Sequence, residues 1–383
     1  MKTGARVGGD WLERAATQAL CAALEGAGHR ALFVGGCVRN ALLGEAVGDV
    51  DIATDATPET VTDIAGTAGF KVVPTGIDHG TVTVIAGGTP HEVTTFRRDV
   101  ETDGRRAVVA FSARIEEDAA RRDFTMNALY ADRRGDVIDP LGGLPDLHAR
   151  RVRFVGDAEA RIREDYLRIL RFFRFHAWYG DVAGGLDPDG LAACAAHSAG
   201  IETLSRERIG AEVRKLLSAR DPAPAVAAMA AAGVLAAVLP GADARALPVL
   251  IHLEGDEPPR PLRRLASLGG ADVADRLRLS RAEARDLSAL RDAAGGALSP
   301  AALGWTLGAH PGADAVLLRA ALLETPPAPD WRDEVARGAA TPFPVSAADL
   351  PDLQGPALGA RLKALQARWL AADCRPTRGE LLS

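Results

Sequence analysis

The chain has 383 residues, enough to bury a large core and to hold two or more domains. Its apolar and charged fractions (47% and 25%) are those of an ordinary globular protein; no apolar run reaches the length of a membrane span, and the first residues lack a charged-then-apolar secretory pattern. The net charge of −6 weighs against a generally basic nucleic-acid binder, and Cys21, Cys37, Cys194 and Cys374 stand far apart with no CxxC pair, which disfavours a disulfide framework and a zinc site and suits a reduced, cytoplasmic setting.

In chain order, residues 11–27 read as a leading helix, 32–34 as a short buried strand, Gly35-Gly36 as a turn and 38–43 as a short helix. Glycines at such a turn let the backbone approach a bulky anion, and the helix start offers free N–H groups and a positive dipole end. Arg39 adds a fixed charge in the first turn. Asp49 and Asp51 follow, one residue apart. On a strand, i and i+2 share a face, so both carboxylates are expected to leave together while Val50 and Ile52 point into a core. Two anions held side by side repel, and a divalent cation removes that cost; hard oxygen ligands suit magnesium. A lone GG or a lone DxD says little, whereas the ordered combination is specific.

Residues 58–68 read as a helix with proline in its first turn, and 70–76, 80–88 and 91–96 as strands. Alternation in the last strand puts Glu92, Thr94 and Phe96 on one face, making Glu92 the candidate third carboxylate. The polar segment 96–111 reads as a mobile surface loop. RRDFTMNALY (121–130) places Asp123 and Asn127 four apart, one above the other if helical, with Arg122 before them; Asp is equally a favoured helix cap. From about residue 157 strand signals nearly vanish. Ala, Leu and Arg recur at helical spacing, broken by prolines near 222, 240, 258, 299, 326 and 341.

Arginines cluster locally at Arg150, Arg151, Arg153, Arg161, Arg163, Arg168, Arg171 and Arg174, against Asp157, Glu159, Glu164 and Asp165. Lysine is scarce throughout, which explains the residue type but not the clustering. Ser205 is a plausible N-cap for the helix in LSRERIGAEVRKLL (204–217), read as structural support. No histidine lies in a metal-type spacing and no His-Asp dipeptide occurs.

LFVGGCVRNALLGEAVGDVDIAT (32–54) resembles the signature of the polymerase-β-type nucleotidyltransferases, specifically the bacterial class II tRNA nucleotidyltransferase / poly(A) polymerase family. The likeness continues through RRDFTMNALY, DPLGGLPDL (139–147), REDYLRILRFFRF (163–175) and LSRERIGAEVRKLL, covering roughly residues 30 to 240. It implies an α/β head, a small mixed sheet with flanking helices, followed by an all-α neck, body and tail. The expected divisions are 1–145, 146–220 and 221–383, the last binding tRNA by analogy. The implied activity is template-independent addition of C, C and A to a tRNA 3′ end from CTP and ATP, with no membrane and no obligate protein partner. Poly(A) synthesis, or addition of CC or A alone, are the alternatives.

By the same resemblance Asp49, Asp51 and Glu92 are catalytic, with Asp49 and Asp51 holding Mg²⁺. Gly35, Gly36, Arg39, Arg122, Asp123, Asn127, Asp165, Arg168 and Arg171 bind the nucleotide, Asp123 at the ribose hydroxyl. Asp165 and Arg168, at i and i+3, could be a plain intrahelical ion pair. A carboxylate only accepts and a guanidinium only donates, however, so together they match the amino-beside-ring-nitrogen edge of cytosine and adenine and mismatch uracil and guanine. The family uses the matching positions to select the base. A flexible loop with a DGR-type segment accompanies full CCA addition, which singles out Asp103, Gly104, Arg105 and Arg106. Asn40 stands where the family most often has Asp, which leaves triphosphate or metal organisation at that point open. The absent His-Asp dipeptide argues against an appended phosphohydrolase domain.

Overall fold

The computed structural model describes residues 2–77, 80–103 and 106–383, with the side chains of all of these except 2, 99–103 and 106–109. The chain divides into two compact units, Met1–Leu204 and Ser205–Ser383; the division falls inside the segment expected as the neck.

Unit 1 carries the strands β1 (Lys2–Arg6), β2 (Leu32–Val34), β3 (Asp51–Thr54), β4 (Lys71–Val73), β5 (Thr81–Ala86), β6 (Thr89–Thr95), β7 (Arg97–Asp103), β8 (Arg106–Phe111), β9 (Tyr130–Ala131) and β10 (Asp136–Ile138). Eight of them form one sheet in the order β1-β10-β9-β2-β3-β6-β5-β4, mixed because β3 and β6 run parallel while the other pairs are antiparallel. The expected strands at 70–76, 80–88 and 91–96 are β4, β5 and β6; β1 lies in a segment where no element was anticipated. The helices are α1 (Asp10–Glu13), α2 (Ala15–Gly26), α3 (Gly36–Leu43), α4 (Pro58–Thr67), α5 (Ile115–Ala120), α6 (Leu144–His148), α7 (Ala158–Glu164), α8 (Leu167–Tyr179) and α9 (Pro188–Ala196). Local chemistry fixes several starts: Thr57, Asp157 and Asp187 accept from backbone N–H groups three residues on, with Pro58 and Pro188 in the first turns of α4 and α9.

Strand alternation buries both faces of the sheet. Phe33, Ile52, Val82, Val84 and Val93 line one, all at most 1% exposed. Leu32, Val34 and Ala53 line the other and cluster with Phe96, Ile115, Ala119 and Tyr130. The segment 96–111 is not an irregular loop: β7 and β8 pair antiparallel from Arg97↔Phe111 to Asp103↔Arg106. Gly104 and Arg105 lie outside the described residues.

Among the described residues no strand follows β10, as the loss of strand signals predicted. Unit 2 is helical, beginning with α10 (Arg206–Leu217), where Ser205 takes the N-cap position without a side-chain cap bond. One core is built on Trp369, with Trp305 and Phe343 edge-on. A second feature is ionic. Arg263 and Arg264, at most 2% exposed, both donate to Glu254, and Arg263 also reaches Asp314 at 2.9 Å. Arg264 donates further to the carbonyls of Leu217, Ala219 and Arg220, where α10 ends and its last carbonyls lack helical partners. Among the described residues no helix is long and apolar enough to cross a membrane.

Candidate active site

The antiparallel pairing of β2 with β3 (Leu32↔Ala53, Phe33↔Ile52) brings the turn after Val34 level with the start of β3. There Asp51 is half-buried and Asp49 exposed, while Val50 and Ile52 face the core as alternation required. Asp49 is not on the strand, though. β3 begins at Asp51, and the preceding residues form an irregular lead-in, so the two carboxylates are not related by strand geometry alone. The third carboxylate is where it was expected: parallel pairing sets Glu92 beside Asp51 in register, on the same face.

Burial pushes the Asp51 carboxyl up to about 6, with Glu92 and then Asp49 adding to it and Arg122 opposing. The group thus holds more negative charge than the protein neutralises. Among the described residues no three His, Cys, Asp or Glu side chains form a ready-made metal cage. One or two carboxylates completed by substrate phosphates is, however, the usual way a protein holds Mg²⁺. The donor set therefore fits a hard divalent ion whose remaining ligands are phosphate oxygens or water.

Gly35 starts α3 at φ 70°, ψ −118°, and a Cβ there would sit 3.4 Å from Arg122 Nη1. Only glycine takes this backbone readily. The Arg122 guanidinium is fixed from behind: Nε donates to Tyr130 Oη (3.2 Å) and Nη2 to Asp118 Oδ2 (3.0 Å), while Tyr130 Oη donates to the same carboxylate oxygen at 2.7 Å. Burial alone would weaken its charge, but Tyr130 and Asp118 more than compensate and keep it a firm cation. Glycine turn, Arg122 and carboxylates thus converge.

Arg39 is placed differently from expectation. It is 7% exposed, and Nη1 donates to Asn127 Oδ1 (2.5 Å), Nη2 to Tyr179 Oη (2.9 Å) and Asn40 Oδ1 (2.8 Å), and Nε to Asn40 Oδ1 (3.1 Å). Burial lowers its pKa, offset in part by Tyr179 and Asp123. Asn40 Nδ2 in turn donates to the Ala46 carbonyl at 2.8 Å. A carboxylate at position 40 could accept from Arg39 but could not make that second bond.

RRDFTMNALY is not an α-helix. Asp123 lies in a bend and Thr125–Asn127 form a single 3₁₀ turn. The two predicted partners nevertheless meet, because the turn folds back: Asn127 Nδ2 donates to Asp123 Oδ1 at 2.8 Å. Phe124 anchors the bend among Phe154, Phe172 and Phe175, and Thr125 Oγ1 donates to the buried Asp146, which also receives Arg151 and Arg153. Gly143 is required beside it, since a Cβ there would lie 2.3 Å from the Thr125 carbonyl. DPLGGLPDL is therefore the brace of this turn. Burial would raise Asp123, yet Arg171, with Nε at 2.8 Å and Nη2 at 2.5 Å, Asn127 and the Phe124 N–H hold it below the usual carboxylate range.

Asp165 and Arg168 do not share a helical face. The helix breaks at Asp165 (φ −156°, ψ 105°), whose Oδ1 accepts from Leu167 N at 3.1 Å, the local bond by which Asp competes with helix continuation. Arg168 pairs instead with Glu164 and donates to the carbonyls of Arg161 (2.8 Å) and Arg121 (3.3 Å). The arginine run is also less available than its sequence suggests: Arg151 and Arg153 pair with Asp146, Arg161 with Glu164, Arg163 with Glu159 and Arg171 with Asp123.

Sequence reasoning missed Asp118, Tyr130, Asp146, Phe175 and Tyr179. Asp118 stands four before Arg122, and Phe175 and Tyr179 continue at i+4 and i+8 from Arg171; those spacings were the available signal.

Comparison with known proteins agrees with this geometry. A family model described as "Poly A polymerase head domain" matches residues 31–153, and one described as "Probable RNA and SrmB- binding site of polymerase A" matches 185–245. A CCA-adding enzyme of Geobacillus thermodenitrificans is 44% identical over 216 residues, 56% of this chain and 52% of that one. The human mitochondrial CCA tRNA nucleotidyltransferase 1 is 42% identical over 190 residues, 49% of this chain and 44% of its own. The chain thus spans about half the length of these relatives. Of solved structures, the Bacillus stearothermophilus CCA-adding enzyme in complex with CTP superposes with TM-score 0.70 at 31% identity, covering 94% of this chain and 93% of that one. The Thermotoga maritima CCA-adding enzyme complexed with tRNA, at 18% identity and TM-score 0.68, shares the fold over 95% and 92%. Dependence on a divalent metal goes with nucleotidyltransferases of this head type. With the catalytic-head motifs assembled and a relative matched along nearly its whole length, the chain belongs to the tRNA nucleotidyltransferase / poly(A) polymerase family, that of the CCA-adding enzymes.

Proposed function

We propose that the protein is a cytoplasmic CCA-adding tRNA nucleotidyltransferase that extends tRNA 3′ ends by C, C and A from CTP and ATP, with Mg²⁺ as its metal. One observation carries the reading: Asp51 and Glu92 lie side by side, with Asp49 close enough to repel Asp51, next to a glycine turn backed by the Arg122 cation. Such a group sets clustered carboxylates beside a fixed cation, as metal-assisted phosphoryl transfer needs.

Asp49 and Asp51 would hold the metal, with Glu92 as the third carboxylate beside them, and the ion would supply charge stabilisation for the primer hydroxyl and the triphosphate. The Gly35 turn, whose own N–H is taken by the Leu129 carbonyl, brings the Gly36 N–H and the Arg122 guanidinium to the phosphates. Asp123 and Asn127 face the sugar, and Arg171 fixes Asp123 as an ionised acceptor. Asp165 and Arg168 read the base edge from two elements rather than from one helical face, Arg168 being oriented by Glu164. Each group left unpaired by a wrong base costs about 1–3 kcal/mol, roughly 5- to 150-fold in selection. Asp103 to Arg106, of which Asp103 ends β7 and Arg106 begins β8, remain the candidates for the switch from C to A addition.

The test is incubation with tRNA lacking its CCA end and labelled CTP, ATP, GTP or UTP, with Mg²⁺ or with EDTA. Growth by three nucleotides, confined to C and A and abolished by EDTA, is expected. Long A-tracts refute the reading in favour of poly(A) synthesis, and arrest after CC removes the A-adding step.

A further inference from the structure

We propose that Tyr179 is a positioning residue for nucleotide transfer, closing a hydrogen-bonded ring in which Arg39 is the hub rather than a phosphate ligand. The ring lies within unit 1. It runs from Arg171 to Asp123 (2.8 and 2.5 Å), from Asn127 to Asp123 (2.8 Å), from Arg39 to Asn127 (2.5 Å) and from Arg39 to Tyr179 Oη (2.9 Å). Arg171 and Tyr179 stand eight residues apart on α8, two turns along one stripe, so the helix itself completes the circuit. Phe175 fills its middle: the Arg39 and Arg171 guanidinium carbons each lie 5.2 Å from its ring centroid, and Arg39 lies 4.1 Å from that of Tyr179.

The ring has a direction. Asn127 must present its oxygen to Arg39 and its nitrogen to Asp123, because a guanidinium only donates and an ionised carboxylate only accepts. The amide that faces the sugar is thereby held in one orientation, and Asp123 is held with it. Because α3 carries Arg39 and α8 carries Tyr179, the ring ties the phosphate turn to the helix bearing Arg168. Nε, Nη1 and Nη2 of Arg39 all donate within the ring or to Asn40. Asn40 extends the same network to the Ala46 carbonyl, on the segment that leads to Asp49.

The proposal rests on the nucleotidyltransferase reading, and its test separates the two. Insertion of CTP and of 2′-deoxy-CTP onto CCA-less tRNA is measured for the wild type, Tyr179→Phe and Arg39→Lys, with thermal melts alongside. Tyr179→Phe keeps the ring stack and removes only the acceptor for Arg39. It should melt near the wild type, lose roughly 3- to 10-fold in kcat/KM for CTP, the worth of one such bond, and lose less for the deoxy substrate. The ratio between the two substrates therefore narrows. Arg39→Lys keeps the charge but lacks the fork, so it should narrow the ratio as well. The double variant should lose little more than the worse single one. A wild type that inserts no CTP refutes the function itself. With an active wild type, equal losses for the two substrates, no loss in Tyr179→Phe, or a wild-type ratio in Arg39→Lys each overturn the ring.

Discussion

Replacing Arg171 by Ala isolates one interaction. Asp123 is about one-tenth exposed and Arg171 about one-third; two nitrogens of Arg171 meet Asp123 Oδ2, while Asn127 and the Phe124 N–H meet Oδ1. The variant strips one carboxylate oxygen of both donors and leaves the other satisfied. Breaking a buried pair by removing one partner costs about 3–5 kcal/mol, and access of water on the Arg171 side reduces this to about 2–3 kcal/mol. For a unit of this size that is a melting temperature lower by roughly 4–12 °C. The pH dependence has a definite sign. With Arg171 present Asp123 is held below the usual carboxylate range, so its contribution to stability is in place above the unfolded carboxylate pKa of about 4 and is lost as pH falls through the folded value. Without Arg171, burial dominates and raises Asp123; the penalty is then full at neutral pH and is relieved as acid protonates the carboxyl. The gap between wild type and variant should be widest near pH 7.5 and close toward about pH 4. Calorimetric melts across that range measure it directly. A deficit that does not change with pH would show that lost packing on Phe175, not the ion pair, is the cause.

Asp51→Asn should cut nucleotide insertion by about a thousandfold or more, since metal-borne charge stabilisation is worth several kcal/mol. In EDTA the same variant should melt higher than the wild type, by an amount equivalent to about 1–2 kcal/mol, because the raised Asp51 opposes folding at neutral pH; a lower melting temperature would contradict the charge surplus. Gly35→Ala, forced to keep φ near 70° with its Cβ against Arg122, should lose about 1–3 kcal/mol of stability together with CTP affinity; wild-type CTP binding by calorimetry would show that this turn is not the cradle. Asp165→Asn gives the base-facing group a donor, so incorporation of UTP relative to CTP should rise by at least about fivefold, and an unchanged ratio would remove Asp165 from base reading. Arg264→Met should destabilise unit 2 by about 3–5 kcal/mol, seen as a lowered transition in melts, because Glu254 and the carbonyls at the end of α10 lose their shared donor; an unshifted transition would make the pair dispensable.

The alternating pattern around Asp51 and Glu92, the glycine turn and the Thr57-Pro58 helix start were legible in the sequence because each depends on local spacing. Side chains at i and i+2 of a strand must share a face whatever surrounds them. What failed depended on where elements stop. Asp49 was taken as strand and is lead-in; Asp165 was taken as helix interior, yet its own carboxylate ends the helix by bonding Leu167 N. Asp123 and Asn127 met as predicted but for another reason, since a 3₁₀ turn braced by Asp146 and Gly143 does what an α-helix was expected to do. Arg39 shows the deeper limit. An arginine in the first turn after a glycine pair suggests a phosphate ligand, and only the distant Asn127 and Tyr179 reveal that its donors are already taken.

Those two groups divide the work of the site by how completely their charges are matched. Around Arg39 and Asp123 the charges meet partners within the protein: Arg39 donates to Asn127, Tyr179 and Asn40, Arg171 donates to Asp123, and the Phe175 ring lies against both guanidiniums. Buried networks of that kind are rigid when fully satisfied. Around Asp51 the balance is different: burial first, then Glu92 and Asp49 against the opposing Arg122, leave its carboxyl pushed up to about 6. On the proposed function, that raised carboxyl lies where an incoming metal and triphosphate would relieve it. On the same reading, binding energy would be gained at the reacting end of the nucleotide, while the sugar and base would meet a surface held by the ring. That division needs Arg39 inside the ring, because an arginine free to swing toward the phosphates would neutralise the carboxylates before the substrate arrived.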